Sequence, residues 1–326
     1  MSYSTTLTDT LQQLRQPQQV NRARLKVLTD LRERDFVVFW HDWVLIPREA
    51  RVRIVTLMNE ISEENLELDY RPIMRWLLAD DDAEVRRRAI DGLSEEEHPR
   101  IIEPLLNSVM NDPDDTVRSA AAVSLTRFTI LAAVDELSET HTTLLIDSLQ
   151  RALTHHHDKP DVYRRILESL GPVADDTIRT HISKAWQSKQ TNLRESALVA
   201  MGLSQDNSWL PIIRTALEDG HAAIRYEAAR AAGEYADQAS MLVPLLVNLT
   251  HEDDIEVAGA AIWALGQIGD ERSVRALKQL SKSRDQAKRD AALTALDEND
   301  GSDELFGNIN PFGDDGDDDD DDRDDD

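Results

Sequence analysis

Apolar residues recur along this chain at a fixed spacing. Val85, Ala89, Ile90 and Leu93 stand at i, i+4, i+5 and i+8, and Val117, Ala121, Ala122 and Leu125 repeat the pattern. It returns from Val162, Leu193, Ile224, Val257 and Ala287. This spacing marks one face of a helix with 3.6 residues per turn. The segments begin 32, 45, 31, 31, 33 and 30 residues apart. A step of about 31 residues holds two helices of about 11 residues and their turns. The stretches 72–78, 100–110, 177–187, 210–217, 241–249 and 273–280 carry stripes of their own and are predicted as the partner helices.

End signals recur with the stripes. Asp82, Asp114 and Asp254 sit three residues before the first apolar position, where an N-cap carboxylate accepts orphan backbone N–H groups. Gly171, Gly202, Gly233 and Gly266 sit nine residues after it, where a left-handed helix end is expected. The 45-residue step implies an insertion across 131–157, with an extra stretch at 132–140 ahead of a helix over 142–154. One hairpin cannot bury both of its stripes, so the hairpins are predicted to stack with a distributed core. The expected class is all-α, an α-solenoid of stacked helical hairpins.

The pattern D-x-x-V-R-x-x-A-A-x-A-L-G resembles HEAT-like repeats, in particular the short form named after phycobilisome lyases. Near matches lie at 114–125, 223–233 and 254–266, and the resemblance covers about 47–296. It implies a right-handed superhelix of the HEAT/armadillo type. It says little about function, because relatives of this type include bilin lyases, a di-iron hydroxylase of modified lysine, alkyl-purine DNA glycosylases and adaptors.

Residues 1–46 read as a helical cap on the solenoid. Phe36, Phe39, Trp40 and Trp43 fall within eight residues there. Helices are predicted around 25–31, over the aromatic run and over 47–61. A terminal repeat must be atypical to end the stack, although the aromatics also fit a binding patch. Residues 297–326 hold 16 acidic residues against one arginine, and are expected to form a disordered acidic tail. Such a tail suits a basic partner or serves solubility. It carries more than half of the net charge of −27. The remaining 296 residues are mildly acidic, with 47 acidic and 35 basic groups, which disfavours nucleic acid.

Cysteine is absent, so disulfides and thiolate chemistry are excluded. The N-terminus does not read as a signal peptide, and no apolar run is long enough to span a membrane. The expectation is a cytoplasmic protein with no membrane contact.

Catalytic and cofactor motifs are missing. His155, His156 and His157 are consecutive, which cannot aim three ligands at one ion on a helix, so they read as a polar loop. The di-iron relatives use recurring His-Glu pairs, and this chain has one, His251-Glu252. No phosphate loop or nucleophile elbow occurs. Glu95, Glu96 and Glu97 read as a solvated turn. Trp186, Trp209 and Trp263 read as core, and Tyr226, Glu227 and Trp263 could edge a groove.

Arg86, Arg118, Arg194, Arg225 and Lys288 occupy one position of successive repeats. They form either an electropositive stripe for a partner or a structural ladder with nearby carboxylates, Asp82, Asp115 and Asp161 among them. Tyr163 and Ala258 break the series. The reading is a non-catalytic scaffold that binds a protein on its concave face, without a cofactor or metal. A bilin lyase-like enzyme, or chromophore chaperone, is the alternative. A nucleic-acid-binding repeat protein is the second.

Overall fold

The repeat pattern folds as paired helices. The computed structural model describes residues 3–306 except 30 and 66, and every regular element among them is helical. The chain divides after Trp209 into two compact units, Met1–Trp209 and Leu210–Asp326.

The first unit opens with α1 (Tyr3–Leu14), α2 (Arg22–Leu25) and α3 (Phe36–Trp43). Helix α1 was not anticipated, yet Leu7, Leu11 and Leu14 keep helical spacing and are fully buried. Helix α4 (Arg48–Glu64) follows, with Pro47 at its N-cap rather than inside its first turn. Then come the hairpins α5 (Arg71–Leu77)/α6 (Ala83–Asp91), α7 (Ile102–Asn111)/α8 (Asp115–Ala133), α9 (Glu139–His155)/α10 (Pro160–Ser169) and α11 (Asp176–Trp186)/α12 (Thr191–Ser204). The second helices α4, α6, α8, α10 and α12 pack in succession, each on the next. The second unit repeats the plan with α13 (Leu210–Ala216)/α14 (Ala222–Glu234), α15 (Val243–Leu249)/α16 (Ile255–Ile268) and α17 (Glu271–Leu280)/α18 (Gln286–Phe306).

The four apolar positions are core in α6, α8, α10, α14 and α16, whereas Leu193 of α12 and Ala291 of α18 are half-buried and Ala287, at the start of α18, is exposed. Val85, Ala89, Ile90 and Leu93, for example, are buried, as are Val257, Ala261, Ile262 and Leu265. The caps act as expected. Asp82 accepts from Glu84 N (3.0 Å) and Val85 N (3.2 Å), Asp114 from Thr116 N (2.8 Å), and Asp254 from Glu256 N (3.0 Å).

The glycines do something else. Among the described residues the only glycine with positive φ is Gly269, which ends α16. Gly171, Gly233 and Gly266 mark close approach between neighbouring second helices. A Cβ on Gly171 would meet the Ala200 carbonyl oxygen at 2.8 Å, and one on Gly266 would meet Ala295 Cβ at 2.9 Å. Gly202 lies within α12 and is buried.

The insertion takes the form of extra helix. Helix α8 has 19 residues, against 9 in α6 and 10 in α10, and α9 has 17. The expected extra stretch at 132–140 thus reduces to a short link between lengthened helices. Helix α18 likewise runs past the expected boundary at 297 to Phe306, and the rest of the acidic segment, 307–326, lies outside the described residues.

Two polar runs prove to be built into the fold. Glu96 is buried and binds Arg75 at 2.6 Å and Arg100 at 3.2 Å, so it departs from the expected solvated turn, while Glu95 and Glu97 on either side are exposed. His156, 1 % exposed, sets Nε2 3.0 Å from the Val109 carbonyl. A carbonyl only accepts, so Nε2 carries a proton.

Burial holds the His156 pKa below the ordinary histidine value, against the Val109 hydrogen bond, and Arg118, His155 and Lys159 add to the depression. Below pH about 6.5 the unfolded chain therefore takes up a proton that the fold refuses, and stability falls as pH falls. Thermal unfolding between pH 7.5 and 5.5 is expected to show this slope. His156→Gln, which keeps a donor for Val109, reduces it; the residual belongs to His181, also held down by burial. An unchanged slope refutes the assignment.

Candidate partner-binding face

The position after the first apolar residue of each second helix projects along the stack. Arg86, 7 % exposed, donates to both carboxylate oxygens of Asp112 (2.7 and 2.8 Å) and to the Asp80 carbonyl (2.8 Å). Arg225 does the same with Glu252 (2.9 and 2.6 Å) and the Asp219 carbonyl (2.8 Å). The hydrogen bonds from these guanidinium groups to Asp112 and Glu252 push both pKa values above the ordinary arginine value. Asp82, expected near Arg86, instead caps α6 and binds Arg48. Asp161 pairs with Arg164.

The other ladder positions differ among themselves. Arg118 pairs with Asp115, which also takes Lys159 at 2.7 Å. Arg194 lies over the Trp186 ring, 4.5 Å from its centroid. Lys288 Nζ donates to the Glu252 carbonyl at 2.9 Å. In the interrupted repeat the Tyr163 hydroxyl meets His181 Nδ1 at 2.9 Å, and burial raises the tyrosine and lowers the histidine.

The sequence pattern missed one rung. Arg51 follows Ala50 and precedes Ile54, Val55 and Met58 at the repeat spacing. Arg51 binds the buried Asp80 through two contacts (2.8 and 2.9 Å), and Trp43 Nε1 donates to the same carboxylate at 2.6 Å. Asp80, Asp112, Asp219 and Glu252 each lie six residues before the ladder position of their own repeat, which is the signal that could have found them. Glu252 is thereby committed to Arg225 rather than to its neighbour His251.

The opposite face of the second helices is open. On α8 it carries Val123, Ile130 and, at the C-cap, Val134, which are 48, 41 and 58 % exposed. Arg127 sits between them. A groove of about 500 Å³ runs over this helix between Ile90 and Asp91 of α6 and Arg165 of α10. Within the second unit, the corresponding helix positions carry Arg230, which lies over the Trp263 ring at 3.9 Å, and Leu293, also exposed. Only Trp209 of the three tryptophans is fully core; Trp186 and Trp263 are half-buried, each beneath a guanidinium group. Gly233 makes room for Trp263, since a Cβ there would lie 2.3 Å from the ring. Beside α9 and α11, Asp147, Arg151, Thr154, His155, Thr177 and His181 line a polar cavity of about 620 Å³.

The family model for HEAT repeats matches residues 47–126, 70–158 and 210–297, more than half of the chain. The chain belongs to the HEAT-repeat family. Yeast importin-β superposes with a TM-score of 0.51 at 15 % identity, over 91 % of this chain and 46 % of that one. The CpcE–CpcF phycocyanin lyase of Nostoc reaches 0.46 at 18 % identity, over 71 % and 94 %. Human deoxyhypusine hydroxylase reaches 0.34 at 15 % identity, over 92 % and 97 %. At these identities the importin-β likeness speaks for the α-solenoid fold alone, and the other two carry no argument. No curated protein sequence matches significantly. The HEAT repeats make this chain a repeat scaffold, and no helix among the described residues is long and apolar enough to cross a membrane.

Proposed function

We propose that this HEAT-repeat protein is a non-catalytic adaptor that holds a protein partner on the open face of its second helices. One observation supports the reading above others: apolar side chains stay exposed on that face of α8, at Val123 and Ile130, while Val117, Ala121, Ala122 and Leu125 on the opposite side of the same helix are fully packed. A soluble repeat has no packing use for such residues, and rows of them suit recognition. The ladder arginines Arg86 and Arg225 are engaged in ties along the stack, which supports a structural role for them over partner binding. The lyase-like alternative rests on resemblance, and the mildly acidic body speaks against nucleic acid.

The test is affinity capture from the native host with three baits: the full chain, a chain ending at Phe306, and the full chain with Val123→Asp and Ile130→Asp. The expected partner is kept by the first two and lost by the third. A partner lost with residues 307–326, or indifferent to the two aspartates, overturns the reading. The cut belongs after Phe306, since one at Leu296 removes half of α18.

A further inference from the structure

The open face of α8 has a definite chemistry. Val123, Arg127, Ile130 and Val134 follow one another at i, i+4, i+7 and i+11, a single stripe along the helix. Three are exposed apolar residues, and the two extra turns of α8 carry the stripe past the length of α6 and α10. The distance from Val123 to Ile130 is two turns, about 10 Å.

Arg127 differs from the ladder arginines. It is half-buried, and its guanidinium donates to the Leu93 carbonyl at 2.8 Å and, more weakly, to Ser124. Arg51, Arg86, Arg118 and Arg225 all have carboxylates within ion-pair distance, whereas among the described residues Arg127 has none. Glu95, Glu96 and Glu97 act on it only from farther off, and burial pulls its pKa below the ordinary arginine value. A guanidinium in that position gains more from an added carboxylate than an exposed one does. Arg165 stands across the groove.

We infer that the exposed α8 stripe, which lines the groove at Val123 and Arg127 and continues along the helix to Ile130, receives an amphipathic helix of a partner protein, with apolar side chains laid on Val123 and Ile130 and an Asp or Glu between them paired with Arg127. Helix-in-groove recognition uses this i, i+3/i+4, i+7 pattern of anchors. The net charge of −27 does not oppose it at contact, because at physiological salt charges beyond about 8 Å are screened. The inference rests on the adaptor reading and names the chemistry of its partner. It also gives the lengthened α8–α9 hairpin a use, as the platform that extends the stripe.

The probe is a displayed library of helical 16-residue peptides, selected on the full chain. Enriched clones are expected to carry apolar residues at i, i+3 or i+4, and i+7 with Asp or Glu among them. The best clone, measured by fluorescence anisotropy, loses at least tenfold in affinity with Val123→Asp, Ile130→Asp and Arg127→Gln, and less with Arg127→Lys. Val123 and Ile130 are exposed, so their variants keep the fold even if Arg127→Gln, which also releases Leu93, does not. Clones rich in Lys or Arg, clones unaffected by Val123→Asp, or displacement by a single-stranded oligonucleotide at physiological salt overturn the inference. Clones lost instead with Trp263→Ala overturn it and leave the adaptor reading standing. A library with no binders, together with failed native capture, removes both.

Discussion

Asp80→Ala is expected to destabilise the first unit by about 1–3 kcal/mol, the range for leaving buried hydrogen-bonding groups without their partner. The Asp80 carboxylate is enclosed and accepts from three directions: Arg51, the Trp43 indole and the Asp82 backbone N–H. Removing it leaves the Trp43 indole donor without its acceptor and leaves the buried Arg51 with Asp81, 2.6 Å away, as its remaining carboxylate. The loss is a large fraction of the 5–15 kcal/mol that holds an ordinary domain together. Urea unfolding read by tryptophan fluorescence measures it, with Arg22→Ala as control. Arg22 pairs with Glu64 in the open, so its removal leaves the midpoint unchanged. A loss below about 1 kcal/mol for Asp80→Ala means the carboxylate is solvated and the tie between α4 and α6 is not what the geometry implies.

Gly171→Val is the second large effect. The new Cβ meets the Ala200 carbonyl oxygen at 2.8 Å and Ala200 Cα at 2.9 Å, both backbone atoms of α12. No side chain can swing aside, so α12 must move from α10, at a cost of about 1–3 kcal/mol typical of overpacking. Gly259→Ala is the matched contrast. Nothing lies within 4 Å of a Cβ there, and the site is inside α16. Relief of glycine's backbone entropy then stabilises the second unit by about 0.5–1 kcal/mol. Melting temperatures of the two variants should therefore move in opposite directions. If both fall, the glycines act through backbone conformation rather than through close approach.

These two cases show where sequence reading succeeds and where it stops. The glycines at the ninth position were visible as a repeat, but a recurring glycine fits a left-handed turn or a close helix contact equally well. Only the distance to Ala200, Trp263 or Ala295 separates the two. The ladder was visible too, though its partners were not. Arg86 bypasses the nearby Asp82 for Asp112, 26 residues on, because its side chain points along the stack to the loop of the next repeat. His156 was read as loop because histidine runs are polar, yet one ring of the three fills a buried site under the Val109 carbonyl.

The sequence by itself determined the all-helical class, the period, the four core positions of most second helices and the aspartate caps, but not the exposure of Ala287 in α18. These follow from spacing within one or two turns, where backbone geometry sets which side chains share a face. The tertiary structure decided which carboxylate each arginine takes, which glycines admit a neighbouring helix, and which apolar residues of α8 remain uncovered. Those outcomes depend on how far apart successive helices pack and on how long each one runs, and both are set by contacts between residues distant in the chain.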